Sequence, residues 1–529
     1  MTPGAVSLRV IEIARRLPYQ QRCAFPSPDI VSRAMPSIRQ FRPWPRATLL
    51  FALALIVLYA LIMAAKLSLW HANVLMNDWA FYNNSFWNTN FRDLWLFSHD
   101  RYIVFGYRSY LNEHFGPWLL GLGALYHVVP QPELMLLALH GATPVLGAIF
   151  IYAAALHVLG ERRLAATIAL SYAFNPGILW PTISLVYGFE PDGMLAVLGA
   201  CAAWALATNR TAVFFTALLL ALGIKENVPA YGAILGAGLI LFTQRRRQGA
   251  VAIVISLAVF VIASKGVPWI TGVENRNVGR VWQFLNELLH LRPQFDYTLP
   301  EILIGLGYSA AFLPALYVWP FLAMIGPDLL LIGQVSYAKL VTWHVMLPVT
   351  VLGAAAVFGS ARFLATKYWP AALDARFMRP VLLRRYWTAV LIVSVVAGPL
   401  TIWLAHDRYI ALRSDVDRAA IGRAQALVSP EAGVAATSDI EQYFVRRRVM
   451  TSRLDVVRQV PGAFTTIAVN RRALTPARRD GPLGPVYRQD ECLIATAERA
   501  AREGAKTVMD DAGILVVQVP RMPKLACDP

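Results

Sequence analysis

The chain is poor in charge. Only 15% of its 529 residues are Asp, Glu, Lys or Arg, while 57% are hydrophobic. A soluble protein of this size could not bury that much apolar surface. Cysteine is scarce as well: four residues, with no Cys-x-x-Cys and no zinc spacing. That leaves out a disulfide-dense scaffold and a structural zinc site. No internal repeat is apparent, whereas many transporters carry two similar halves. Lysine is missing from the first 46 residues, which hold eight arginines and two acids. This stretch is too long and too rich in proline for the n-region of a signal peptide. It reads as a basic cytoplasmic tail ahead of a retained first helix.

Long apolar runs are what the chain has in abundance, and its mean hydropathy is +0.48. "ATLLFALALIVLYALIMAA" (47–65) is close to the roughly 20 residues that cross a bilayer. Candidate spans fall at 48–69, 134–159, 164–183, 191–208, 211–224, 228–243, 249–270, 300–318, 320–334, 343–362 and 386–405. The run 320–334 is the weakest, being short and broken by Pro327 and Asp328. "FGPWLLGLGALYHVV" (115–129) is also short and suits a helix lying at the interface. The expected fold is an all-α polytopic membrane protein of about 11 transmembrane helices.

Loop charges orient the chain. If the spans alternate, the arginines of the tail, "GERR" (160–163), "NR" (209–210), "QRRRQ" (244–248) and 362–385 all fall inside, as the positive-inside rule requires. The net charge of +17 then reflects topology and anionic headgroups, and no nucleic-acid partner is expected. The outer loops are 70–133, 187–193, 224–227, 271–299 and 336–344. Three regions follow: a cytoplasmic tail (1–46), a transmembrane domain (47–405) with a large first outer loop (70–133), and a polar C-terminal domain (406–529) outside. "GVAAT" (433–437), "FTTIAV" (464–469) and "GILVVQV" (513–519) read as strands, and 497–509 as a helix, giving a small α/β domain. Cys492 and Cys527 could be bonded if that domain is outside the cytoplasm; two free thiols is the equal alternative.

Candidate site residues gather in the outer loops. "GIKENVPAYG" (223–232) sets Lys225 and Glu226 between two apolar runs. The run before them, about 14 residues, spans roughly 21 Å as a helix, short of the ~30 Å core. The turn is therefore expected to be recessed in an outward-facing cavity, where charge is functional by default. "YGFEPDG" brings Glu190 and Asp192. The first loop brings Asp78, Trp87, Glu113 and His114 among many aromatics, and His344 stands near a late span. Each has a plainer reading: Asp78 as a helix cap, Glu113 with His114 as an interface pair, Glu190 and Asp192 as turn residues, and the aromatics as an interfacial belt.

"DWAFYNNSFWN" (78–88) followed by "EHFGPWLLGLGALYHVVPQPELMLLALHG" (113–141) resembles a family of bacterial and archaeal predicted membrane proteins of unknown function, grouped with the GT-C glycosyltransferases. The matching elements are Asp78, Trp87, His114-Phe115-x-Pro117, Leu125-Tyr126 with Pro130, "GFEPDG", "KEN", "WHVMLPV" on His344, and "SPEAGVAATSDIEQYFVRRR" (429–448). The likeness runs from about 70 to 450. Glu190 stands where the family has His, Asn227 where it has Asp, and Asn83-Asn84 replace an acid–Gln pair. The resemblance implies a GT-C-like fold in a bacterial-type inner membrane. It also implies transfer of a sugar from a polyprenyl-phosphate donor to an outer-face acceptor, with inversion. Asp78 would be base or metal ligand beside Glu113 and His114. Lys225, Glu226, Glu190, Asp192, Trp87 and His344 would bind substrate, with Arg276, Arg280 and Lys339 as other cations for the phosphate. Partners would be the lipid-linked donor and membrane lipids. A divalent cation is a possible cofactor, its ligands unknown. The competing reading is a transporter or lipid flippase with an outward-facing polar cavity.

Overall fold

The computed structural model describes residues 45–72, 74, 78–90, 96–98, 102, 106–107, 109–183, 188–226, 228–273, 346–365, 375–410, 413–476 and 484–527. The expected spans at 300–318 and 320–334 lie outside the described residues, as do His344, Asn227, Arg276, Arg280 and Lys339.

The described residues of the membrane part are mainly helical. Helix α1 (Pro45–His71) is followed by α2 (Asp78–Trp87), α3 (Leu119–Val128), α4 (Pro132–Leu159), α5 (Arg162–Ala173), α6 (Pro176–Ile183), α7 (Asp192–Ala207), α8 (Thr211–Leu222), α9 (Val228–Phe242) and α10 (Arg246–Val261). A π turn at Ile262–Gly266 joins α10 to α11 (Val267–Thr271), and α12 (Met346–Ala365) and α13 (Ala375–Ile410) close the set. Among the described residues, four segments are long and apolar enough to cross a membrane: Arg46–His71, Pro132–Leu159, Arg246–Thr271 and Pro380–Asp407. Leu49, Leu50, Ile56, Ile392 and Val396 are among the apolar side chains these helices leave exposed, as a lipid-facing surface requires. Shorter apolar helices, α3 and α7 to α9, stand between them.

The run 164–183 is two helices and not one. Proline has no N–H to donate and disfavours helix in the residue before it, so the chain breaks at Asn175-Pro176. The Asn175 side chain accepts from Gly177 N (2.9 Å) and restarts the helix. Ten residues of α3 make about 15 Å, too short to cross. Helices α9 and α10 touch at their glycines: a Cβ on Gly236 would meet Gly249 O at 2.6 Å. Small residues admit such close approach.

The C-terminal region is a five-stranded sheet in the order β2-β1-β3-β5-β4. Its strands are β1 (Gly433–Ala436), β2 (Val449–Thr451), β3 (Thr466–Asn470), β4 (Lys506–Asp511) and β5 (Ile514–Gln518). β1 pairs parallel with β2 and β3, and β5 antiparallel with β3 and β4. Successive side chains enter opposite cores. Ala435, Ile467 and Val517 pack with helix α16 (Gly484–Arg502), while Val434, Ala468 and Val516 pack with α14 (Arg418–Leu427). Helix α15 (Leu454–Gln459) adds Leu454, Val456 and Val457 to the core on the α16 side. The expected helix at 497–509 ends at Arg502, and 506–511 is β4. Gly504 (φ +93°) turns the chain, and Thr507-Val508 favour a strand. Cys492 and Cys527 form a disulfide, with Cα atoms 5.4 Å apart.

This unit sits on the first loop. Asn84 of α2 donates to Val445 O (2.8 Å) and Arg447 O (3.1 Å). Ala80 belongs to the core on the α14 side of the sheet, and Ser414 N donates to Ala72 O.

Candidate functional site

The two charges of "GIKEN" do not pair with each other. They occupy the turn between α8 and α9 and point to different partners. Lys225 Nζ lies 2.5 Å from Asp192 Oδ2 and 3.5 Å from Glu190 Oε1. Glu226 takes His114 instead, with Nδ1 3.1 Å from Oε1 and 3.2 Å from Oε2, and it accepts from Phe115 N at 3.2 Å. The residues at 190, 192, 225 and 226 are all buried and His114 is half-buried. Three separate stretches, 113–115, 190–192 and 225–226, thus meet in one charged cluster.

Local sequence explains the convergence. Asp192 opens α7 in its first turn, where a carboxylate suits the helix dipole. Gly188 holds φ +55°, and a Cβ there would come within 2.5 Å of Trp79 Cε3, so glycine alone lets α2 close on this turn. Phe189 is fully buried against the rings of Tyr82 (5.5 Å) and Phe86 (6.3 Å). Tyr82 Oη is 2.8 Å from Tyr110 Oη, and the Tyr110 ring is 5.5 Å from that of His114. An aromatic chain therefore runs from α2 to His114.

Burial by itself would lower the Lys225 pKa. Asp192 and then Glu190 outweigh it and hold the ammonium above the ordinary lysine value. Burial acts to raise Glu226, but His114 outweighs it and its pKa lies below the ordinary glutamate value. Both turn charges are therefore kept ionised.

Asp78 is the first residue of α2, one position before the tryptophan that covers Gly188. Glu113 follows the turn Tyr110–Asn112 and is half-buried, and His114 beside it reaches Glu226. Trp87 ends α2, about 14 Å along the helix from Asp78, and is outside the cluster. It is partly exposed, under the Arg446 guanidinium (5.5 Å) and beside the His127 ring (6.0 Å). Among the described residues, no group of three or more His, Cys, Asp or Glu could hold a metal ion. Glu190 and Asp192 are bridged by Lys225.

Sequence reasoning missed Lys66. It is fully buried in α1 and donates to Thr182 O (3.0 Å) and Gly188 O (2.8 Å), with His140 Nδ1 3.1 Å away. A lysine inside the first apolar span was the available signal.

Apolar helices enclosing a buried charged cluster define a polytopic membrane protein with a polar internal site. Residues 78–452 match the family described as "Predicted membrane protein (DUF2079)", and the chain belongs to that family. No curated protein matches the chain. Among solved structures it is similar to ArnT from Cupriavidus metallidurans in the apo state, with 14% identity and a TM-score of 0.47 over 89% of this chain and 98% of that one. ArnT bound to undecaprenyl phosphate gives 14% identity and a TM-score of 0.47 over 87% and 97%.

Proposed function

We propose that the protein is a membrane glycosyltransferase that moves a sugar from a polyprenyl-phosphate donor to an acceptor at the outer face of the plasma membrane. The buried cluster of Lys225, Asp192, Glu190, Glu226 and His114 carries this reading. So much ionised surface at the ends of short apolar helices is costly and is expected where a charged substrate must meet a lipid chain.

In the proposed step an acceptor hydroxyl attacks the anomeric carbon of the donor sugar. Its proton passes to Asp78 as general base; were Asp78 a metal ligand instead, it would hold a cation that polarises the acceptor hydroxyl. The bond from the anomeric carbon to the phosphate oxygen breaks, and its electron pair leaves with the polyprenyl phosphate. One displacement gives inversion, unlike the two covalent steps of a retaining hydrolase. The leaving phosphate needs cations more than acid. Lys225 supplies one: Glu190, its looser partner, yields to the phosphate while Asp192 keeps the ammonium aimed. His114 and Glu113 act with Asp78 at the reacting centre, and Glu226 and the freed Glu190 accept from sugar hydroxyls. Trp87, with Arg446, offers a stacking face to the acceptor, and His344 belongs to the same binding set.

The boundaries 1–46, 47–405 and 406–529 go with this reading, the tail inside and the C-terminal domain outside. The Cys492–Cys527 disulfide supports an oxidising compartment for that domain. The test is release of polyprenyl phosphate from polyprenyl-phosphate-linked radiolabelled sugars by the protein in nanodiscs. Asp78→Asn is expected to lower it at least about a hundredfold at normal expression. Full activity in that variant returns Asp78 to a helix cap; no turnover by the wild type with any donor, alongside lipid movement across vesicles, favours the transporter reading.

A further inference from the structure

We propose that Lys66, with His140, is a positioning residue that braces the Glu190–Asp192 turn from both of its ends; its role in binding rests on the donor-site reading above. Lys66 stands five residues before the end of α1, far in sequence from the loops that carry the cluster. Its ammonium has three N–H groups and three neutral acceptors within reach: Thr182 O at the end of α6, Gly188 O at the start of the turn, and His140 Nδ1. His140 Nδ1 is also 3.1 Å from Gly188 O. It accepts from the lysine or donates to that carbonyl, and either choice ties Gly188 in place.

The other end of the turn is held by the same imidazole. A Cβ on Gly193 would meet His140 Cδ2 at 2.9 Å and Nε2 at 3.3 Å. The ring therefore lies flush against the residue that follows Asp192. Gly188 is gripped by the ammonium, Gly193 by the ring, and the two carboxylates that bind Lys225 lie between them. A buried lysine is expensive unless its donors are matched. Methionine or leucine would pack α1 at no such cost, so the lysine is accounted for by what it holds. Fixing the carboxylates this way lets them meet an ammonium without a search, the preorganisation that binding sites need.

Lys66→Met removes the ammonium and keeps the length of the side chain. Hydrogen–deuterium exchange of the full-length protein in nanodiscs reads the turn directly. Amides at 188–193 are expected to exchange at least about tenfold faster, with strands β1, β3 and β5 unchanged. Undecaprenyl phosphate, titrated by native mass spectrometry, is expected to bind about tenfold more weakly to Lys66→Met and to Asp192→Asn. The double variant should be no weaker than Asp192→Asn alone, because one acts through the other. Unchanged exchange at 188–193, or losses that multiply in the double variant, overturns the brace. Faster exchange with undecaprenyl phosphate binding unaltered in both single variants upholds the brace and rejects the donor site. If Lys66→Met does not fold, Gly193→Ala presses on His140 from the other side. It must raise exchange at 188–192, and no change there overturns the proposal.

Discussion

Removing Lys225 alone should unfold more of this protein than removing the whole ion cluster. The ammonium sits 2.5 Å from Asp192 and 3.5 Å from Glu190, and all three side chains are less than a tenth exposed. Two unit charges about 4 Å apart attract by roughly 4 kcal/mol at an effective dielectric of about 20. Desolvation of each group offsets much of that in the intact cluster. Lys225→Met keeps the stem but strands two carboxylates side by side, and breaking a buried pair in this way costs about 3–5 kcal/mol. Asp192→Asn leaves the lysine with Glu190 and should cost less, about 1.5–3 kcal/mol for a charged hydrogen bond. The double variant Lys225→Met/Asp192→Asn should fall short of the sum by about 1–3 kcal/mol. Adding Glu190→Gln removes the last stranded charge and should recover most of the loss. Equilibrium unfolding by steric trapping in bicelles measures all four. Lys225→Met within about 0.5 kcal/mol of wild type, or strict additivity, would refute the reasoning and return the turn to a solvated loop.

Three further outcomes can be checked. Replacing Cys492 and Cys527 with serine, which opens a loop of 35 residues, should cost the C-terminal domain about 2–4 kcal/mol, read by thermal unfolding with and without reductant. Asn84→Ala removes the two bonds from α2 to Val445 O and Arg447 O; it should cost about 1–3 kcal/mol and admit protease into 445–453, and an unchanged digest would deny that α2 seats this domain. The depressed Glu226 pKa contributes stability that is present above the ordinary glutamate value and lost as pH falls through the lower, folded-state value. Unfolding followed below about pH 4.3 should lose part of its acid sensitivity in Glu226→Gln, and an unaltered acid limb would sever Glu226 from His114.

Several parts of this arrangement were visible in the sequence because they rest on local pattern. Apolar runs located the helices, and a lysine and glutamate between two such runs marked the 225–226 turn. Alternating Val, Ala and Ile marked β1, β3 and β5. Partnership was not legible. Lys225 makes its close ion pairs with Asp192 and Glu190, 33 and 35 positions away, and not with the glutamate beside it. Lys66 near a helix end looks like an interfacial anchor until Thr182, His140 and Gly188 fold onto it. Strand β4 escaped because it is an edge strand, largely exposed, and Lys506, Asp510 and Asp511 give it no apolar alternation. Strand β2 has three residues directly after three arginines. The break in 164–183 was signalled by Asn175-Pro176, and its apolar composition masked it.

The claim that the charged cluster meets a lipid phosphate is tested most directly by photocrosslinking. An undecaprenyl phosphate analogue carrying a diazirine beside the phosphate would be irradiated with the protein in nanodiscs and the labelled peptides found by mass spectrometry. Labels on 110–118, 188–193 and 223–228, lost when plain undecaprenyl phosphate is added in excess, are the expected result. Labels confined to other segments, or labels on these three that excess undecaprenyl phosphate does not displace, would contradict the assignment.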